Sequence, residues 1–98
     1  MRCGRLGGHA RRVRHATGAD LDQLEELLRE LRHVPQLRER KRGYFSRGGR
    51  AFLHFHEEAG DIYADVRLGA GFERIRVTSP AEQAEFLARV TAAASPRR

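Results

Sequence analysis

The sequence has no tryptophan, a single cysteine (Cys3), a single lysine (Lys41) and no long hydrophobic run. One cysteine excludes an internal disulfide and fits a reducing compartment. No stretch approaches the roughly 18 apolar residues that a membrane span needs, and the N-terminus lacks the apolar segment of a secretory signal. The expectation is a cytoplasmic protein with no membrane partner. Aromatic residues make up only 7% of 98 residues, which favours one small domain and a groove over a deep enclosed cavity. No glycine-rich loop follows a strand and opens a helix, so a phosphate-cradling loop is not expected. Ser46 and Ser79 are accounted for by a turn and a helix cap. With Cys3 near the terminus, no nucleophile accompanies the histidines, and the reading is non-catalytic.

Charge is present but uneven. Residues 1–50 carry 13 Lys+Arg against 6 Asp+Glu, whereas residues 51–98 carry 6 against 7. Arginine replaces lysine almost throughout, and alanine and glycine are plentiful. That is the bias of a GC-rich coding genome and reads as bacterial, so arginine content alone says little about an acidic partner.

Residues 1–19 show no hydrophobic period and read as a flexible basic arm. Residues 20–94 read as a single α+β domain, and 95–98 as a tail. Asp20 with Gln23 resembles a capping box, and Leu21, Leu24, Leu28 and Leu31 share one helical face. Pro35 ends that helix. Gln36 to Phe45 reads as one edge strand, protected by its charges. Gly48-Gly49 and Ala59-Gly60 read as hairpin turns around a long strand that begins at Arg50. A fourth strand follows at Phe72 to Val77, and Ser79-Pro80-Ala81-Glu82 opens a closing helix. The order is α-β-β-β-β-α, an antiparallel four-stranded meander flanked by an N-terminal and a C-terminal helix.

The two turns set a register. Arg47 faces Arg50, Phe45 faces Phe52 and Tyr44 faces Leu53; in the second hairpin Glu58 faces Asp61, His56 faces Tyr63 and His54 faces Asp65. Ala51, Leu53 and Phe55 then share an apolar face with Ile62, Ala64, Val66 and Leu68. The opposite face carries Phe45, Phe52, His54, His56, Tyr63, Asp65 and Arg67.

Helix, Val34-Pro35-Gln36-Leu37, aromatic Tyr44-Phe45, Gly49-Arg50-Ala51-Phe52-Leu53, a third strand and a closing helix form a layout that resembles the small YjbR/MmcQ-like proteins. The resemblance spans roughly Leu21 to Val90. It implies helices packed on an antiparallel sheet and supplies no catalytic residues.

Three binding chemistries fit the residues. The face of Phe45, Phe52, His54, His56, Tyr63 and Asp65 is too aromatic to stand bare on a small monomer, which points to a ligand, a partner or a second copy of the chain. Arg38, Arg40, Lys41, Arg42, Arg47 and Arg50, with Tyr44 and Phe45 among them, combine charge for phosphates with rings for bases, the pairing single-stranded nucleic acid requires. His54-x-His56 on a strand puts two imidazoles on one face about 7 Å apart at the backbone. That spacing admits a shared Zn2+, with Glu58, Asp61 or Asp65 as a third ligand.

Overall fold

The computed structural model describes residues 14–94. The chain runs β1 (Arg14–His15), α1 (Gly18–Gln23), α2 (Glu25–Arg32), β2 (Leu37–Lys41), β3 (Tyr44–Arg47), β4 (Arg50–Glu58), β5 (Asp61–Arg67), β6 (Phe72–Arg76) and α3 (Pro80–Ala94). The class is α+β with an antiparallel sheet, as the pattern predicts, but the sheet is larger than the expected four strands. Its order is β2-β3-β4-β5-β6, and β1 pairs with β4.

The fifth strand comes from the segment read as one edge strand. Leu37–Lys41 and Tyr44–Arg47 are two strands of a hairpin turning at Arg42-Gly43. Gly43 has φ +83°, and a Cβ there would meet Leu21 Cδ2 at 2.9 Å, so glycine serves both the turn and the packing of α1 beneath it. The sixth strand lies in what reads as the arm. Arg14 and His15 pair with Glu57 and His56, and the Ala16 amide continues the ladder to the Phe55 carbonyl. Because β5 occupies the other edge of β4, β1 sits on the same edge as β3, further along the strand. The basic-arm reading thus fails for residues 14–19; residues 1–13 and the tail at 95–98 lie outside the described residues.

The first helix also starts earlier than Asp20. Thr17 is its cap and Asp20 the third helical residue, each bonding the other's backbone amide in a capping box. The leucine stripe is continuous in burial but not in helix. At Leu24 the backbone turns to φ −102°, ψ 9°, separating α1 from α2. The closing helix begins as its sequence predicts, with the Ser79 hydroxyl accepting from the Glu82 amide and the Glu82 carboxylate accepting from the Ser79 amide.

The second hairpin has the predicted register: Glu58 opposite Asp61, His56 opposite Tyr63, His54 opposite Asp65. The first does not. Arg47 faces Arg50, but Ser46 then faces Ala51 and Phe45 faces Leu53, which leaves Phe52 as an extra residue in β4. This bulge lets two consecutive side chains, Phe52 and Leu53, enter the core, and Ala51 turns outward instead. Phe45 and Phe52 are each 2% exposed and join Leu24, Leu28, Leu31, Phe55, Val66, Phe86 and Val90 in one cluster. They belong to the apolar face, not to the opposite one. All three helices place their buried residues in that cluster. The other face of the sheet is left without a covering helix among the described residues.

Candidate functional site

The uncovered face is built by strand parity. Alternation on β5 sends Ile62, Ala64 and Val66 into the core, and Tyr63, Asp65 and Arg67 outward. Across the ladder, His15, His56, Tyr63 and Arg76 form one row, and His54, Asp65 and Arg74 the next. Tyr44 closes the face from β3, its ring stacked on His54 at 5° and 6.0 Å, its hydroxyl 2.8 Å from His15 Nδ1.

Asp65 is the hub of this face. Arg74 donates to both its oxygens, Nε to Oδ1 at 2.8 Å and a terminal nitrogen to Oδ2 at 2.9 Å. His56 Nε2 lies 3.0 Å from Oδ2, and His54 Nε2 lies 3.7 Å from the same atom. The Arg74 hydrogen bonds, working against burial, hold the Asp65 carboxyl below its ordinary value. Burial, and then the neighbouring His56, push the His54 imidazole down, against the pull of Asp65. His54, His56 and Asp65 each present a ligand atom within 4.8 Å of the others, and all three side chains are half-buried. His56 Nδ1 is buried with no hydrogen-bond partner among the described residues. His15, read as part of the arm, stands over this set with its ring 5.0 Å from that of His56 and 6.2 Å from that of His54. The only advance signal for it was Thr17-x-x-Asp20, a capping box that places the chain before it close to the domain.

Glu58 and Asp61, alternatives for a third ligand, go elsewhere: Asp61 is bonded by Arg76, and Glu58 lies opposite it at the turn. Tyr63 lies beside the histidines at partial exposure, and Phe72, 43% exposed, edges onto His54 under the guanidinium of Arg67.

The basic stretch divides. Arg42 bonds Asp22 and Glu25 and is drawn down onto α1 and α2. Among the described residues Arg38, Arg40, Lys41, Arg47 and Arg50 make no ion pair, and Arg67 joins them from β5, donating there only to the Ala51 carbonyl. By contrast Arg14, Arg32, Arg74, Arg76 and Arg89 are all paired with acids. The unpaired cations of the sheet therefore lie along its β2–β3–β4 hairpins, Arg40 and Lys41 beside the Arg42-Gly43 turn and Arg47 and Arg50 flanking the Gly48-Gly49 turn, while on α2 Arg29 likewise makes no ion pair among the described residues. Between them and the histidines lies an open groove of about 360 Å³, lined by Arg40, Lys41, Tyr44, Ser46, Ala51 and His54. Ser46 and Ala51, opposite each other across the ladder, are small enough to form its floor. Lys41 lies over the Tyr44 ring at 4.5 Å. A second hollow of about 420 Å³ continues past the turn along Arg47, Arg50, Arg67 and Gly69.

No known family's sequence pattern matches the chain, and neither a curated protein nor a solved structure does.

Proposed function

We propose that this domain binds single-stranded nucleic acid across the end of its open sheet face. The observation that carries the reading is the segregation of charge on the sheet: among the described residues Arg38, Arg40, Lys41, Arg47, Arg50 and Arg67 have no acidic partner, while Arg14, Arg74 and Arg76 do. Unpaired cations around a hollow attract phosphates, and their counterion release supplies affinity. The hollow also offers what bases need. Tyr44 and His54 form a stacked wall, and Phe72 is an exposed ring further along the same face. Rings stack bases with little sequence preference. The small residues Ser46 and Ala51 leave room for a base to lie against the sheet.

The first expectation for this face, a homodimer or protein-partner surface, draws its aromatic character from Phe45, Phe52 and Tyr63, and the first two are in the core. The remainder is rich in cations, which self-association would bring against one another.

The test is fluorescence anisotropy with labelled single-stranded RNA and DNA across a salt series. Binding should weaken with salt, and each cation removed should make the log–log slope shallower by about 0.7. Tyr44→Ala should weaken binding at all salt concentrations without changing the slope. A salt slope and affinity unaltered in Arg38→Ala/Arg40→Ala/Lys41→Ala would reject the reading.

A further inference from the structure

We infer that His54, His56 and Asp65 form a binding site for a divalent transition-metal ion, with His15 as the nearest further imidazole. The inference does not rest on the nucleic-acid reading: the two share His54, but this one is argued from the distances among His54, His56 and Asp65.

Geometry carries it. Two imidazoles two residues apart on β4 and a carboxylate directly across the ladder on β5 converge from rigid, paired backbone rather than from loops. Three ligands of one tetrahedral ion bonded at roughly 2.0–2.1 Å stand about 3.3 Å from one another. Asp65 Oδ2 is already 3.0 Å from His56 Nε2 and 3.7 Å from His54 Nε2, and no separation within the set exceeds 4.8 Å. Side-chain adjustments of about 1 Å would close such a set around an ion bonded at those lengths.

The hydrogen bonding around the set points the same way. Arg74 holds Asp65 from behind: an ion on Oδ2 would replace one of its two hydrogen bonds and leave the other, on Oδ1, to orient the carboxylate. The Tyr44 hydroxyl engages His15 Nδ1, which leaves Nε2 as that ring's free nitrogen.

Two nitrogens and one oxygen suit Zn2+, Co2+ or Ni2+ rather than Mg2+ or Ca2+, which prefer oxygen throughout. An open sheet face gives the ion access and leaves coordination positions for an exogenous ligand.

The 98-residue chain is titrated with Co2+, followed by its visible absorption, and with Zn2+ in competition, in the absence of nucleic acid. One ion per chain is expected, displaced by Zn2+ and unaffected by excess Mg2+. His54→Ala, His56→Ala and Asp65→Asn should each weaken binding at least about tenfold, and His15→Ala by less. Circular dichroism of the metal-free variants establishes that each is folded; should His56→Ala not fold, His56→Gln keeps the side-chain bulk and is read instead. Absence of stoichiometric binding, equal competition by Mg2+, or unchanged affinity in His54→Ala/His56→Ala would each overturn the inference.

Discussion

Phe52 and Leu53 are consecutive in the chain, and both side chains are buried in the same core, at 2% and 1% exposure. A regular strand cannot do this, because its side chains alternate between faces. The extra residue where β3 meets β4 makes it possible. It puts two large side chains from adjacent positions of β4 into the core, and it turns Ala51 outward to floor the groove.

Truncating the bulge residue should therefore behave as a core substitution. Phe52→Ala is expected to cost about 3–5 kcal/mol, and Phe52→Leu about 1–1.5 kcal/mol. Phe72→Ala, at an exposed ring of the opposite face, should cost less than about 1 kcal/mol. Urea denaturation of the three variants gives the comparison. If Phe52→Leu is as silent as Phe72→Ala, Phe52 is not in the core.

The same bulge explains why one hairpin was legible from the sequence and the other was not. On β5, Ile62, Ala64 and Val66 alternate with polar residues, and a two-residue turn fixes parity, so His56 opposite Tyr63 and His54 opposite Asp65 follow directly. On β4, Phe52-Leu53 is apolar in both positions, and neither glycine nor proline marks an inserted residue. Alternation carries no information there. The Arg42-Gly43 turn was hidden within a run of charges whose polarity fits an edge strand equally well. Arg14–His15 is too short to show any period, and it adds to the sheet only because β3 diverges from β4 and leaves an edge free. The His54/His56/Asp65 set was legible because it needs only parity; its Arg74 and His15 neighbours depend on strand order, which no local pattern encodes.

The Ala59-Gly60 turn is closed by a residue with little reason to be there. Ala59 has φ 55°, a left-handed conformation in which its Cβ crowds the carbonyl. Ala59→Gly and Ala59→Asn should each raise stability by about 0.5–1 kcal/mol, since Asn-Gly suits a two-residue hairpin turn. Thermal denaturation is the measurement. A lower midpoint in both variants would contradict the strain.

Glu39 links β2 to α2 and should mark the acid limb of stability. Burial pushes its carboxyl up, but Arg32 at 2.6 Å and the Gly43 amide at 3.1 Å outweigh that and hold it below the ordinary 4.5. A carboxyl with a depressed folded value binds fewer protons folded than unfolded. Its stabilisation is complete above the unfolded value and is lost as pH falls through the folded one. Between about pH 5 and about pH 3, the wild type should lose more stability than Glu39→Gln does. Other carboxyls titrate there too, so the quantity to measure is the difference between the two denaturation series. Parallel curves would show that the Arg32 contact contributes nothing.

Arg40 and Arg42 are two residues apart in the chain yet make opposite predictions. Arg42 reaches Asp22 and Glu25, each at 2.9 Å, and its charge is already answered by α1 and α2. Arg40 is the inserted residue of the β2–β3 ladder, which displaces it from the pairing, and it borders the groove beside Tyr44. If the groove binds single strands, Arg40→Ala should weaken affinity several-fold at low salt and make the salt slope shallower by about 0.7. Arg42→Ala should leave slope and affinity within error, while slightly lowering thermal stability through the lost contacts to the helices. A generic attraction between a basic protein and a polyanion would respond alike to the two substitutions, because each removes one charge from the same hairpin. Unequal responses, in the direction stated, are what a shaped site requires.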